Sequence, residues 1–367
     1  MLSINVRAAA LTWCWVLLGA NMKELIIFIP GSGSVCRELY LKKLINGIKN
    51  HCNVNGLLFS EMPTYQTGFS SIKVENKTID IEEIYWKDLV PNITSLKFFS
   101  KITSGLFLIF YWSSSLEVWK QITKNKYMLF SSMLTFLIFF SWYYGLIATA
   151  LSAVSTHPSF LPFLIDVQLI EYLGKIGEQM GSWVVFVIAS LLTTLLPVDE
   201  VLDISYMVFC YLNNQNSLFN KLQDRISNSL ILSKTNDYDS VTILSHSFGT
   251  IVALETIVNK IDCNKPVFRE KINFVTLGSP LLILSARSER IKNSINKLAS
   301  DLDSNNGQIG SWVDFYSNDD WFCTASPKQS VRLNSKEISS TVSFLDKCKG
   351  ASHDLYFDEK QVMNAII

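Results

Sequence analysis

"VTILSHSFGT", residues 241–250, and the "IVALETIVNKI" that follows it to residue 261, decide the fold. Val241–Leu244 is an apolar, β-branched run of strand length, and residues 249–261 read as a helix. A buried strand passing through a tight polar turn directly into a helix is a building unit of a mostly parallel, helix-covered sheet. The turn itself holds Ser245, His246, Ser247, Phe248 and Gly249. It is either an ordinary turn with a solvent-facing serine or a device for presenting Ser247 above the sheet.

The same alternation recurs outward from this stretch. "ELIIFIP" (24–30) is a continuous apolar strand, "GSGS" a turn, and Leu41, Leu44, Ile45 and Ile48 one face of a helix. "VNGLLFS" (54–60) is expected to be another strand. Phe219, Leu222, Ile226 and Leu230 mark a helical stripe, and "INFVTL" (272–277) and "WVDFY" (312–316) further strands. The fold class expected is α/β, a mostly parallel central sheet flanked by helices.

The middle of the chain is different. The sequence is 49% hydrophobic and 17% charged, an apolar excess for a globular core alone. No charged residue lies between Lys126 and Asp166, and about 128–154 exceeds the roughly 20 apolar residues that cross a hydrocarbon core. A second uncharged stretch, about 179–198, is just long enough to cross. The run 102–116 is shorter and is expected to be interfacial or re-entrant. These lengths give an insert at 76–199 with two spans, interrupting a domain built from 22–75 and 200–367. Both parts of one sheet must lie on one side of a bilayer, which requires an even number of crossings. Lys97, Lys101, Lys120, Lys124 and Lys126 precede the first span, while the connection after it holds only Lys175, which places the domain on the cytoplasmic side. Residues 1–21 are an apolar lead: a weak signal or anchor, or a segment upstream of a functional start at Met22.

Charge and cysteine usage narrow the function. There are 32 basic and 32 acidic side chains and no basic block, so nucleic acid is not an expected partner. The seven cysteines are scattered and never form a C-x-x-C pair, so no metal centre is expected, and they read as buried small hydrophobes in a reducing compartment. The glycine turn after the first strand lacks the G-K-S/T or full G-x-G-x-x-G of nucleotide sites, and no cofactor is expected.

A serine nucleophile needs a base, an acid that orients the base, and N–H donors aimed at the developing oxyanion. On α/β sheets such a serine sits at a strand-to-helix turn of the form G-x-S-x-G. Residues 245–249 match that form with Ser245 in place of the first glycine, and at this point the chain resembles the α/β-hydrolase superfamily, in its serine lipase and esterase group. The resemblance covers about 220 residues in two pieces and none of the insert. It implies Ser247 as nucleophile and the order serine, acid, histidine along the chain. Of four histidines, His157 lies between the spans, His51 at the far end of the sheet, and His246 beside the nucleophile with its ring pointing away. His353 in "GASHDLYF" remains as base. The turn after "WVDFY" offers Asp319 and Asp320, and the resemblance favours Asp320. It also implies an oxyanion hole from the N–H of Phe248 and, by the likeness of "IPGSGS" (29–34) to a glycine-rich hydrolase loop, from that of Ser32. "TLGSPL" (276–281) is similar to the same group. The expected activity is hydrolysis of an ester, of a lipid or other acyl substrate, by a membrane-anchored enzyme whose other partner is the bilayer. The alternatives are an acyltransferase using the same residues and a non-catalytic hydrolase-like scaffold.

Overall fold

A computed structural model describes residues 22–31, 38–64, 66–90, 98–156, 167–179, 187, 191, 198–229, 237–262, 271–320, 323, 325–343, 346–347 and 350–367. Eight strands form one sheet: β1 (Met22–Ile29), β2 (Phe59–Met62), β3 (Phe69–Val74), β4 (Lys77–Glu83), β5 (Ser240–His246), β6 (Ile272–Leu277), β7 (Ile309–Tyr316) and β8 (Leu333–Glu337). Their spatial order is β2-β3-β4-β1-β5-β6-β7-β8. From β4 to β8 every neighbouring pair is parallel, whereas β3 runs antiparallel to both β2 and β4. This mixed sheet with flanking helices has the general topology of an α/β-hydrolase-like fold.

The sheet is mostly parallel because its central strands are apolar on both faces. In β1, Leu25, Ile27 and Ile29 enter one core while Ile26 and Phe28 enter the other, all at most 2% exposed. The first core is covered by α6 (Val198–Leu212), α7 (Leu218–Ser229), α8 (Gly249–Asp262), α9 (Leu281–Arg287) and α10 (Glu289–Asp303); the second by α1 (Leu39–Asn55), the 3-10 turn Ala351–Asp358 and α11 (Lys360–Ile366). Burial of each large aliphatic side chain, as at Ile251, Leu254 and Ile257 of α8, contributes roughly 1.5–3 kcal/mol.

Two strand expectations need correction. Helix α1 runs through Val54 and Asn55, and Gly56, at φ 69°, ends it by accepting the left-handed geometry a helix terminus favours. The strand therefore begins only at Phe59. Strands β3 and β4 are sequence neighbours joined by a tight turn, and β4 lies beyond residue 75, where hydropathy places the start of the insert. Its alternation of Ile79 and Ile81 with charged residues marks a strand, but five polar residues in seven hide it among loop-like composition.

Between β4 and β5 lie α2 (Phe98–Ser113), α3 (Leu116–Ile122), α4 (Lys126–Thr156), α5 (Val167–Gln179), α6 and α7. The run expected to be interfacial forms most of α2, whose Phe107 and Tyr111 pack edge-on against Phe209 of α6 at 5.1 and 4.9 Å. Lys126–Leu151 of α4 is, among the described residues, the one stretch long and apolar enough to cross a membrane by length and composition. Its apolar surface runs all round: Met128, Ile138 and Phe139 are buried while Phe130, Met133, Leu137 and Phe140 are exposed. The second expected span, about 179–198, falls almost wholly outside the described residues, as do residues 1–21 and His157. Helix α6 is tied into the domain by a buried cluster, in which Tyr211 donates to Glu255 at 2.6 Å and Arg290 pairs with the same carboxylate at 2.8 Å.

The crossing of α8 over β1 leaves no room for a side chain at its first residue. A Cβ at Gly249 would lie 2.5 Å from the carbonyl oxygens of both Ile29 and Pro30. Gly249→Ala is expected to destabilise the fold by about 2–3 kcal/mol, because the obstruction is backbone and cannot rotate away. The shift in thermal unfolding midpoint checks this.

Candidate active site

The site lies at the carboxyl ends of β1, β5, β6 and β7, where ligands gather on open α/β sheets. Ser247 directly follows β5 at the turn into α8, and it sits at φ 54°, a left-handed conformation that non-glycine residues adopt only when their surroundings enforce it. Its N–H donates to the Leu277 carbonyl of β6 at 2.8 Å, which holds the turn closed. Ser245, which stands in the place of the first glycine of the G-x-S-x-G pattern, is fully buried, and its hydroxyl lies within hydrogen-bonding reach of the Val275 carbonyl and of Thr250. That accommodation explains why serine is tolerated there.

The turn after β1 comes against this serine. A Cβ at Gly31 would lie 2.7 Å from the Ser247 Cβ and 3.3 Å from its Oγ, so the close approach requires glycine. Ser32, the expected second oxyanion donor, lies outside the described residues. Phe248 is buried at the first turn of α8, packed between Trp86 and Tyr211, and its N–H belongs to the helix's N-terminal donors, which have no carbonyl partner within the helix.

The turn after β7 brings Asp320 to His353. Asp320 is fully buried, and His353 Nδ1 lies 2.7 Å from its Oδ2. Nδ1 therefore carries the proton, leaving Nε2 as the basic nitrogen. Burial lowers the His353 pKa, but the charge and hydrogen bond of Asp320 and the charge of Asp354 outweigh it, and the net shift is upward. Asp319 points elsewhere: it pairs with Lys347 at 2.8 Å and accepts the Ser340 N–H. Asp354, next to His353, pairs with Lys43 of α1 at 2.6 Å.

Two participants escape a reading of the sequence. Tyr356 donates its hydroxyl to the same Asp320 Oδ2 at 3.0 Å. In a 3-10 turn residues three apart eclipse, so His353 and Tyr356 reach one carboxylate; the H-x-x-Y spacing is the signal that could have found it. The second is Asn125, whose Oδ1 caps α4 by accepting from Tyr127 and Met128 while its amide reaches the Asp320 carbonyl at 3.4 Å. The apolar helix thus begins against the turn that carries Asp320.

His246 is fully buried, with Nε2 2.9 Å from the His353 carbonyl oxygen and its ring centroid 4.7 Å from that of His353. Burial, with the charge of His353, pushes its pKa down to about 3. The unfolded chain, titrating at the ordinary 6.5, takes up protons that the folded chain refuses, so this group's contribution to stability is lost as pH falls from 6.5 towards 3. Thermal unfolding across that range should show the loss, and the His246→Phe variant should show less of it.

Ser247, Phe248 and His353 line one cavity of about 500 Å3. Its remaining walls are mainly apolar and come largely from the helices between β4 and β5: Leu108 and Trp112 of α2, Val118 and Ile122 of α3, Met128 and Phe139 of α4, and Val208 of α6. No known protein family, curated protein or solved structure matches the chain.

Proposed function

We propose that the protein is a membrane-associated serine hydrolase that cleaves the ester of a lipid or other acyl substrate, with Ser247 as nucleophile, His353 as base and Asp320 as acid. The observation that carries this reading is the 2.7 Å His353–Asp320 bond, made by a histidine that shares a cavity wall with a serine held at φ 54° on a strand-to-helix turn. In this reading the Ser247 Oγ attacks the ester carbonyl carbon as His353 Nε2 takes its proton. The oxyanion receives the Phe248 N–H and a second N–H from the glycine loop, for which Ser32 is the candidate. Collapse expels the alcohol, which takes the proton from His353, and leaves an acyl-enzyme. Water, deprotonated by His353, then releases the carboxylate and restores the serine. Asp320 fixes the tautomer and stabilises the imidazolium, with Tyr356 holding its oxygen.

The apolar lining supports an acyl chain as the bound group, since such pockets take ligands of like polarity with a few placed polar groups. The proposed architecture has the hydrolase domain assembled from both sides of a two-span insert and lying on the cytoplasmic face. The test is fluorophosphonate labelling of the protein in membranes, followed by a panel of esters with acyl chains of increasing length and product analysis with and without an acceptor alcohol. Labelling of wild type and release of free fatty acid are expected; transfer to the acceptor with no acid released would favour an acyltransferase. Thr135 of α4 lines the cavity. Thr135→Trp is expected to lower kcat/KM for long-chain esters at least about tenfold while leaving short-chain esters within about twofold, a difference of the size set by a few buried methylenes.

A further inference from the structure

His246 is the last residue of β5 and has no part in the proton transfers just described. Its ring lies among those of Tyr40, His353 and Phe357, at 5.3, 4.7 and 5.1 Å, with no solvent exposure. Nε2 faces a carbonyl oxygen, which only accepts, so Nε2 carries the proton and Nδ1 is a lone pair. That Nδ1 is buried and has no hydrogen-bond partner among the described residues. A buried acceptor without a donor is costly, and an aromatic hydrocarbon would fill the same space without that cost. Packing therefore gives no reason for histidine at this position; the bond from Nε2 to His353 does.

We propose that His246 is a positioning residue for the base, its Nε2–H holding the main-chain carbonyl of His353 while Asp320 holds the side chain. This rests on the reading of His353 as base to Ser247. A 3-10 turn is a loose platform for a group that must swing a proton between two oxygens, because its hydrogen bonds are poorly aligned. Anchoring the carbonyl as well as the ring fixes both ends of the side chain, and small misplacements of a catalytic group are expensive in rate. The depressed pKa keeps His246 neutral over the working range, so its single N–H stays on the nitrogen that faces His353. The titratable and charged groups facing the pair are Asp320, Tyr356 and Tyr40, and Asp354 with its partner Lys43.

The experiment measures the rate of fluorophosphonate labelling at Ser247 as a function of pH, with thermal unfolding, for full-length wild type, Ser247→Ala, His246→Phe, His246→Leu and His246→Gln in membranes. His246→Phe keeps a ring but loses the donor; His246→Gln has an amide N–H with similar reach. Labelling of His246→Phe is expected to slow about tenfold, the equivalent of one hydrogen bond, with an unfolding midpoint no lower than wild type and an apparent pKa for labelling moved downward as His353 loosens from Asp320. His246→Gln should recover most of the rate. If Phe is not accommodated, the Leu and Gln pair reads the same way. Equal rates in wild type and the Phe or Leu variant would overturn the proposal, and so would Gln and Phe variants equally slow with equally lowered midpoints. If Ser247→Ala labels like wild type, the nucleophile assignment itself fails, and the role of His246 fails with it.

Discussion

Ser247→Ala is expected to abolish covalent labelling and to lower ester turnover by a factor on the order of 10⁶, with the residual activity due to oxyanion and binding effects alone. The effect is this large because neither neighbouring buried serine among the described residues can substitute. Ser245 is buried with its hydroxyl directed towards β6, and Ser279 is buried against Ser326. The variant should still fold, since the bond that closes the turn comes from the main-chain N–H of residue 247, and alanine keeps it. Turnover of a chromogenic ester alongside the unfolding midpoint separates the two effects. A Ser247→Ala protein with near-normal turnover would refute the assignment.

Asp320→Asn carries the second largest expected loss, on the order of 10⁴-fold in kcat. The asparagine occupies the same volume, but its amide nitrogen can face His353 Nδ1, which favours the tautomer with the proton on Nε2 and removes the base. The carboxylate that stabilises the imidazolium is lost as well. Asp319→Asn makes the internal comparison. It costs only the partly exposed pair with Lys347, worth at most about 1 kcal/mol, and should leave kcat within a fewfold. The ratio of the two variants' kcat values reports which carboxylate serves the base; parity between them would defeat the choice of Asp320.

How much of this was legible in the sequence depends on where each signal resides. The Val241–Leu244 strand and its turn into α8 are written in apolar run length and a glycine, and both lie where the sequence places them. The two apolar faces of β1 are equally visible in "ELIIFI". By contrast β4 carries Lys77, Thr78, Asp80, Glu82 and Glu83, and it earns its place in the sheet through pairing with β1 and β3, a tertiary fact that composition does not record. The pairing of Asp320, not Asp319, with His353 turns on which way adjacent side chains leave a turn; sequence order named both. Tyr356 left a local trace in its H-x-x-Y spacing to His353, a signal that gains meaning only once the 3-10 turn is known. Asn125 was out of reach for a different reason: it acts over 195 positions, and nothing local marks a residue for such a contact.

The position of β1 has a consequence for how the chain reaches its native state. β1 is central, yet it is made first, and its two neighbours arrive at different times: β4 soon after, β5 only once residues 84–239 have been synthesised. The contact between Lys23 and Asp239 spans 216 positions. Topologies dominated by such separations fold slowly, because loop closure must precede the contacts that reward it. During that interval β1 presents an apolar strand with one unpaired edge, the geometry that recruits other chains. Delivery of α4 to its environment falls within the same interval. Assembly of the sheet is therefore timed by the segment between β4 and β5, and a nascent chain stalled between residues 84 and 239 is the species most exposed to aggregation.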